Sequence, residues 1–196
     1  GISFLYGFSG STSYFVVSNI LSMNEVNIGL IIGALFFISG LMFKLSIVPF
    51  HMWTPDVYEG APLMSVSLFA SMQKISSLAV VITIFALCLK PLGEKFHYFM
   101  KIAAILSIMV GSIAAVMQTS VKRIMAYSTI LNMGYVLIPL CFWSAIGFEV
   151  AMQYLVIYTA ASIALFALLS AALGDKAEVA KLDDLSALGR TKKAAA

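Results

Sequence analysis

Apolar residues run along this chain in long blocks separated by short polar links. Five blocks reach the length of about 20 residues that a membrane-crossing helix needs. They are roughly Ile28–Phe50, Leu63–Leu89, Tyr98–Met117, Met125–Trp143 and Phe148–Leu173. A further block, Gly1 to about Val17, reads as the end of another helix. The links are Ser18–Asn27, His51–Pro62, Lys90–His97, Gln118–Ile124 and Ser144–Gly147. The blocks are about twice the length of a barrel strand and do not alternate polar with apolar, so helix is the predicted spanning element. Gly29, Gly33, Gly40, Gly111, Ser112 and Gly134 fall inside them, and small residues let membrane helices approach closely. The expected fold is all-α. Residues 1–173 form a polytopic transmembrane helix bundle, and residues 174–196 form a polar cytoplasmic segment leading to a further helix. Gly1 is not an initiator Met, and Lys192–Ala196 reads as the onset of another segment. The chain is therefore expected to be a piece of a longer one.

Composition supports this reading. Of the 196 residues, 61% are hydrophobic and 11% charged, with a mean hydropathy of +0.99. A soluble domain carries roughly 25% charged residues. The apolar excess must face lipid or other membrane helices, which excludes a nucleic-acid-binding protein, a secreted disulfide scaffold and a disordered chain. The net charge of +3 is too small to imply a polyanionic partner, but its placement is informative. Alternation puts His51–Pro62, Gln118–Ile124 and the tail on one side, with Lys122, Arg123, Lys176, Lys181, Arg190, Lys192 and Lys193. The opposite links hold Lys90 and Lys95. The positive-inside rule makes the first side cytoplasmic. Cys88 and Cys141 both fall near outer helix ends and read as small apolar packing residues.

Two charges lie where charge is expensive. Lys44 and Lys74 are the only charged residues of their blocks, and an ammonium at a helix centre costs about 2.5–3.5 kcal/mol on insertion scales. Lys74 lies eleven residues past Leu63, a rise of roughly 17 Å or about half the hydrocarbon thickness. Ser67, Ser71 and Ser77 share its helix face by spacing and read as a hydroxyl-lined stripe able to hold waters. Lys44 precedes Pro49, whose ring clashes with the carbonyl four residues back, that of Leu45. A break there frees carbonyls to meet charge and water, as in interrupted transporter helices. Burial disfavours the charged form of an amine, so buried lysines can take up and release protons. The plainer alternative for each is a lysine that snorkels or locks packing. Further polar stripes are Ser128, Asn132 and Tyr135, and Tyr154, Tyr158 and Ser162. Each reads either as the lining of a water chain or as hydrogen-bond glue between helices. Glu149, at an outer helix end, reads as a solvated cap. There is no metal-ligand spacing, no phosphate loop and no Ser-His-Asp set. His51 and His97 stand alone in links.

One stretch has a family likeness. The run Phe43-Lys44-Leu45-Ser46-Ile47-Val48-Pro49-Phe50-His51-Met52-Trp53-Thr54-Pro55-Asp56-Val57-Tyr58-Glu59-Gly60-Ala61-Pro62 resembles the antiporter-like membrane subunits of respiratory NADH:quinone oxidoreductase, complex I. These are relatives of multi-subunit sodium/proton antiporters. The Val57–Pro62 ending is similar to the subunit N branch, and Lys122-Arg123-Ile124-Met125-Ala126-Tyr127-Ser128-Thr129 is similar to a second family motif. Leu182–Arg190 resembles the segment ahead of the family's next broken helix.

The resemblance implies that Lys44 is the lysine of the first broken helix and Lys74 that of the next, both in a proton path through the middle of the membrane. It implies a proton-translocating subunit of a bacterial inner membrane, with other complex I membrane subunits and lipid as partners and no nucleic acid. NADH, flavin, iron–sulfur clusters and quinone belong to other subunits, and none is expected in this chain. The family's glutamate on helix five would lie before Gly1, and its lysine on helix twelve beyond Ala196. Many members carry histidine where this chain has Asn132, and Asn does not titrate. The rival readings are a cation/proton antiporter subunit and a structural membrane subunit without a proton path.

Overall fold

The computed structural model describes residues 1–22, 27–174 and 180–182. The described residues form helices α1 (Ile2–Ser9), α2 (Tyr14–Leu21), α3 (Ile28–Leu45), α4 (Trp53–Gly60) and α5 (Leu63–Ala70). They continue through α6 (Met72–Leu87), α7 (Gly93–Val116), α8 (Val121–Leu140) and α9 (Ala145–Leu173). Lys90–Leu92 makes a 3-10 turn ahead of α7. The only sheet-type contact among the described residues is an isolated bridge between Ser120 and Lys181.

Among the described residues, four stretches are long and apolar enough to cross a membrane: Ile28–Leu45, Leu63–Leu87, Lys90–Val116 and Ala145–Leu173. The fifth expected span, Met125–Trp143, falls largely on α8, which is not among these four; it carries Lys122, Arg123, Ser128, Asn132 and Tyr135 and is less apolar for that reason. Ile102, Ile105 and Ile113 on α7 and Ile157 and Leu168 on α9 are exposed, as expected where helices meet lipid. The main core gathers Leu30, Ile38, Leu78, Phe85, Met100, Leu137 and Leu155. A smaller one joins Tyr58, Leu63, Val66, Ala70, Ala126 and Phe166. Helices α7 and α8 approach each other closely. A Cβ on Gly111 would lie 2.7 Å from the Leu131 nitrogen, and one on Gly134 would lie 2.8 Å from Ile108. Gly40, in contrast, faces open space.

The helix boundaries differ from the sequence reading in three places. The first block is not one helix end but two short helices, because Gly10 takes a left-handed conformation (φ 67°) and stops α1. The link His51–Pro62 contains helix α4, so the chain after α3 is the second half of an interrupted helix. Leu63–Leu89 is interrupted at Ser71 (φ −111°, ψ −82°). The Ser71 hydroxyl bonds the Ser67 carbonyl at 2.6 Å, the back-bonding by serine that bends helices. Of the tail, only residues 174 and 180–182 are described. The Ala180 carbonyl accepts from the Val121 N–H at 3.1 Å. Lys176, Arg190, Lys192, Lys193 and most of the Leu182–Arg190 run lie outside the described residues.

Candidate functional site

The site is built on the break between α3 and α4. Pro49 fixes its own φ and lacks an N–H, so α3 cannot run through it. The helix ends at Leu45, and Ser46 adopts the left-handed conformation (φ 64°, ψ 38°). The Ile47 N–H closes back on the Met42 carbonyl at 3.0 Å, the Schellman pattern with serine in the place glycine usually takes. The Val48 N–H donates to Ser107 Oγ on α7 at 3.0 Å, and that hydroxyl donates to the Ala103 carbonyl at 2.7 Å. Neighbouring helices thus satisfy backbone groups that the break leaves without intrahelical partners.

Lys74, from α6, reaches into this break. It is 0% exposed. Its Nζ donates to Ser46 Oγ at 2.6 Å and to the Lys44 carbonyl at 3.0 Å. Thr54 Oγ1, from the first turn of α4, donates to the same Ser46 hydroxyl at 2.7 Å. The Trp53 ring lies 5.5 Å from Lys74 Nζ, within cation–π range. Trp53 is held in turn by its indole N–H on the Phe43 carbonyl at 2.9 Å and by stacking on Phe43. An ammonium in a low-dielectric interior is tolerated only with such partners. Here they come from the last carbonyls of one half-helix and the first turn of the next.

The far end of α4 is also fastened. Lys122 Nζ, buried, donates to the Ala61 carbonyl at 2.8 Å. Arg123 pairs with Glu59 at 2.8 Å and approaches Asp56 at 3.8 Å. Arg123, at the start of α8, has its pKa raised, first by its bond to Glu59. The Lys-Arg pair counted as loop cations in the charge bias is, in the fold, a fastener for α4.

The sequence-derived residues separate as follows. Lys74 reaches the break that precedes Pro49, where the sequence reading had placed the Lys44 side chain. The loosened carbonyl beside the break is used by Lys74, not by the Lys44 side chain. Lys44 lies exposed on the outside of α3, so the expectation of two buried amines is corrected to one within this chain. The stripe Ser67, Ser71 and Ser77 does not surround the Lys74 ammonium. Ser67 and Ser71 spend their hydroxyls on the carbonyls of Met64 and Ser67, because a helical serine readily bonds the preceding turn. Ser46 and Thr54, which the sequence reading missed, are the hydroxyls at the amine. A serine three residues ahead of a helix-breaking proline was the available signal.

The two polar stripes of α8 and α9 face each other. The Tyr154 hydroxyl donates to Asn132 Oδ1 at 2.6 Å, and the Tyr158 hydroxyl donates to Thr129 Oγ1 at 2.8 Å. Asn132 Nδ2 donates to the Ser128 carbonyl at 2.7 Å. Tyr135 lies half-out, edge-on to Tyr154. Beside these bonds is a cavity of about 340 Å³ lined by Ser128, Asn132, Tyr154, Tyr158 and Ser162 among others. Glue and lining therefore coexist. Cys88 and Cys141 are free and buried, and His97 Nδ1 lies 2.8 Å from the Cys141 carbonyl. Among the described residues, no three His, Cys, Asp or Glu side chains gather as a metal site would require.

A lysine buried at an interrupted helix, inside a bundle whose outer surface is apolar, defines a polytopic membrane protein with a broken helix. The chain belongs to the family of NADH:quinone oxidoreductase/Mrp antiporter transmembrane proteins, whose pattern matches residues 1–195. It is 42% identical over 197 residues to NADH-quinone oxidoreductase subunit N of Rickettsia bellii, covering 100% of this chain and 43% of that protein. It is 40% identical to the subunit N of Paramagnetospirillum magneticum, covering 97% of this chain and 40% of that protein. This chain thus spans less than half the length of these relatives. Among solved structures, respiratory complex I from Thermus thermophilus with bound aureothin matches with a TM-score of 0.69 and 30% identity, over 86% of this chain and 35% of that one. The Mrp complex of Dietzia sp. matches in fold, with a TM-score of 0.81 at 18% identity, over 92% of this chain and 33% of that one.

Proposed function

We propose that this chain is the central portion of a proton-translocating subunit of NADH:quinone oxidoreductase, in a bacterial inner membrane. Redox chemistry, with its NADH, flavin, iron–sulfur clusters and quinone, belongs to other subunits. The partners are the other membrane subunits and lipid. The observation that carries this reading is Lys74, fully buried and held by Ser46 and the Lys44 carbonyl at the break.

The partners at the break hold the Lys74 ammonium in the interior, where nearby charge acts on it with little screening. A unit charge arriving about 10 Å away changes the ammonium's energy by roughly 1.7 kcal/mol at an effective dielectric of 20. That is more than tenfold in proton occupancy. Charge movement in neighbouring subunits therefore drives uptake and release at Lys74. Lys44, exposed on the outer side of the same break, supplies a second exchangeable amine toward the surface that α3 presents. Ser128, Asn132 and Tyr135 contribute to a polar path on the α8 side, where Asn132 orients hydrogen bonds without titrating.

The test uses the full-length chain in the assembled complex. Lys74→Ala is expected to reduce NADH-driven proton pumping while NADH oxidation by a hydrophilic acceptor is preserved. Assembled Lys74→Ala and Lys44→Ala complexes that both pump at the parent stoichiometry would falsify the relay. Parent pumping with Gln or Met at both lysines would favour a structural subunit. Sodium-dependent flux without the NADH-oxidising partners would favour the antiporter reading, to which the shared fold also lends support.

A further inference from the structure

Two polar clusters interrupt the apolar interior: the Lys74–Ser46–Thr54 group at the break and the Thr129–Tyr158 and Asn132–Tyr154 pairs between α8 and α9. Helix α4 touches both. Thr54 and Tyr58 are four residues apart on it and so share one face, and both are 0% exposed. Thr54 is bonded into the first cluster. The Tyr58 ring packs against Ala126 of α8 and Phe166 of α9, and its hydroxyl interacts with Thr129 beside Tyr158 of the second, short of full hydrogen-bond geometry. Around the ring lie Leu63, Val66, Ala70, Ala126 and Phe166. Phenylalanine would fill the same apolar space, so the hydroxyl is not there for packing.

We infer that Tyr58 relays protons between the Lys74 site and the α8–α9 cleft, with water completing the contact on either side. The step needs no tyrosinate. The phenol oxygen accepts a hydrogen from one neighbour while its own O–H bond breaks and that hydrogen passes to the oxygen beyond. The group begins and ends neutral, and one proton has moved. This inference rests on the proton-translocating reading of Lys74.

The experiment places Tyr58→Phe and Lys74→Ala separately in the full-length chain of the assembled complex. Each is assayed for NADH-driven proton pumping in H2O and D2O and for NADH oxidation by a hydrophilic acceptor. The expected result for Tyr58→Phe is parent acceptor activity, loss of most pumping, and a larger solvent isotope effect on the pumping that remains. A packing role would leave the isotope effect unmoved. If Tyr58→Phe pumps as the parent does while Lys74→Ala is impaired, the Tyr58 relay is wrong and the Lys74 reading stands. If Lys74→Ala pumps normally, both are wrong. If Tyr58→Phe fails to assemble, Thr129→Val decides. Loss of pumping with a raised isotope effect supports the relay, and parent behaviour overturns it.

Discussion

Replacing Ser46 probes the clasp on Lys74 at a single atom. Ser46 is fully buried, sits at φ 64°, and accepts from both Lys74 Nζ and Thr54 Oγ1. Ser46→Ala removes a hydrogen bond to a charged group, about 1.5–3 kcal/mol, and leaves the Thr54 hydroxyl unpaired at about 1–3 kcal/mol. The left-handed backbone cost of roughly 1–2 kcal/mol stays the same. Ser46→Gly loses the same bonds but relieves that backbone cost. The charged-bond loss falls on protonated Lys74 more than on its neutral form, so proton occupancy should drop about 10- to 100-fold at 1.4 kcal/mol per decade. The assay is NADH-driven proton uptake by proteoliposomes holding the assembled complex, normalised to acceptor activity. Both variants should lose pumping, with Ser46→Gly accumulating in the membrane more fully than Ser46→Ala. Normal pumping by both would refute the clasp. A defect in Ser46→Ala alone would show that the hydroxyl serves only to offset the left-handed backbone and is not needed for pumping.

Two more outcomes are expected. Lys122→Met should free the Ala61 carbonyl at a cost of about 1.5–3 kcal/mol, seen as faster proteolytic cleavage near the end of α4 and lower thermal stability of the complex. Gly111→Leu should wedge α7 from α8, since even a Cβ would lie 2.7 Å from the Leu131 nitrogen. Overpacking of this kind costs about 1–3 kcal/mol, and assembly yield should fall, whereas Gly40→Leu, facing open space, should assemble as the parent does.

The long spans and the lone buried charge at Lys74 were readable because hydropathy registers both directly. The break at Pro49 was readable because proline removes a donor whatever surrounds it. The identity of the amine's partners was not. Spacing along one helix put Ser67, Ser71 and Ser77 near Lys74, but helical serines turn back onto their own carbonyls. Ser46 and Thr54 come from a different part of the chain, brought in by a half-helix hidden in what reads as a polar link. Lys44 illustrates the converse. Its residue type and position matched Lys74's, yet about half a turn of helix phase separates a buried side chain from an exposed one, and hydropathy does not resolve that phase in a helix apolar on all sides.

The paired bonds between α8 and α9 act as two rungs of an antiparallel ladder, Thr129 to Tyr158 and Asn132 to Tyr154. Sliding either helix by one turn, or rolling it about its axis, would uncouple both rungs together and strand polar groups at about 1–3 kcal/mol each. Apolar contacts alone would permit such slippage. These two walls of the cleft are therefore geared to move as one plate, and any opening has to come from what lies against them.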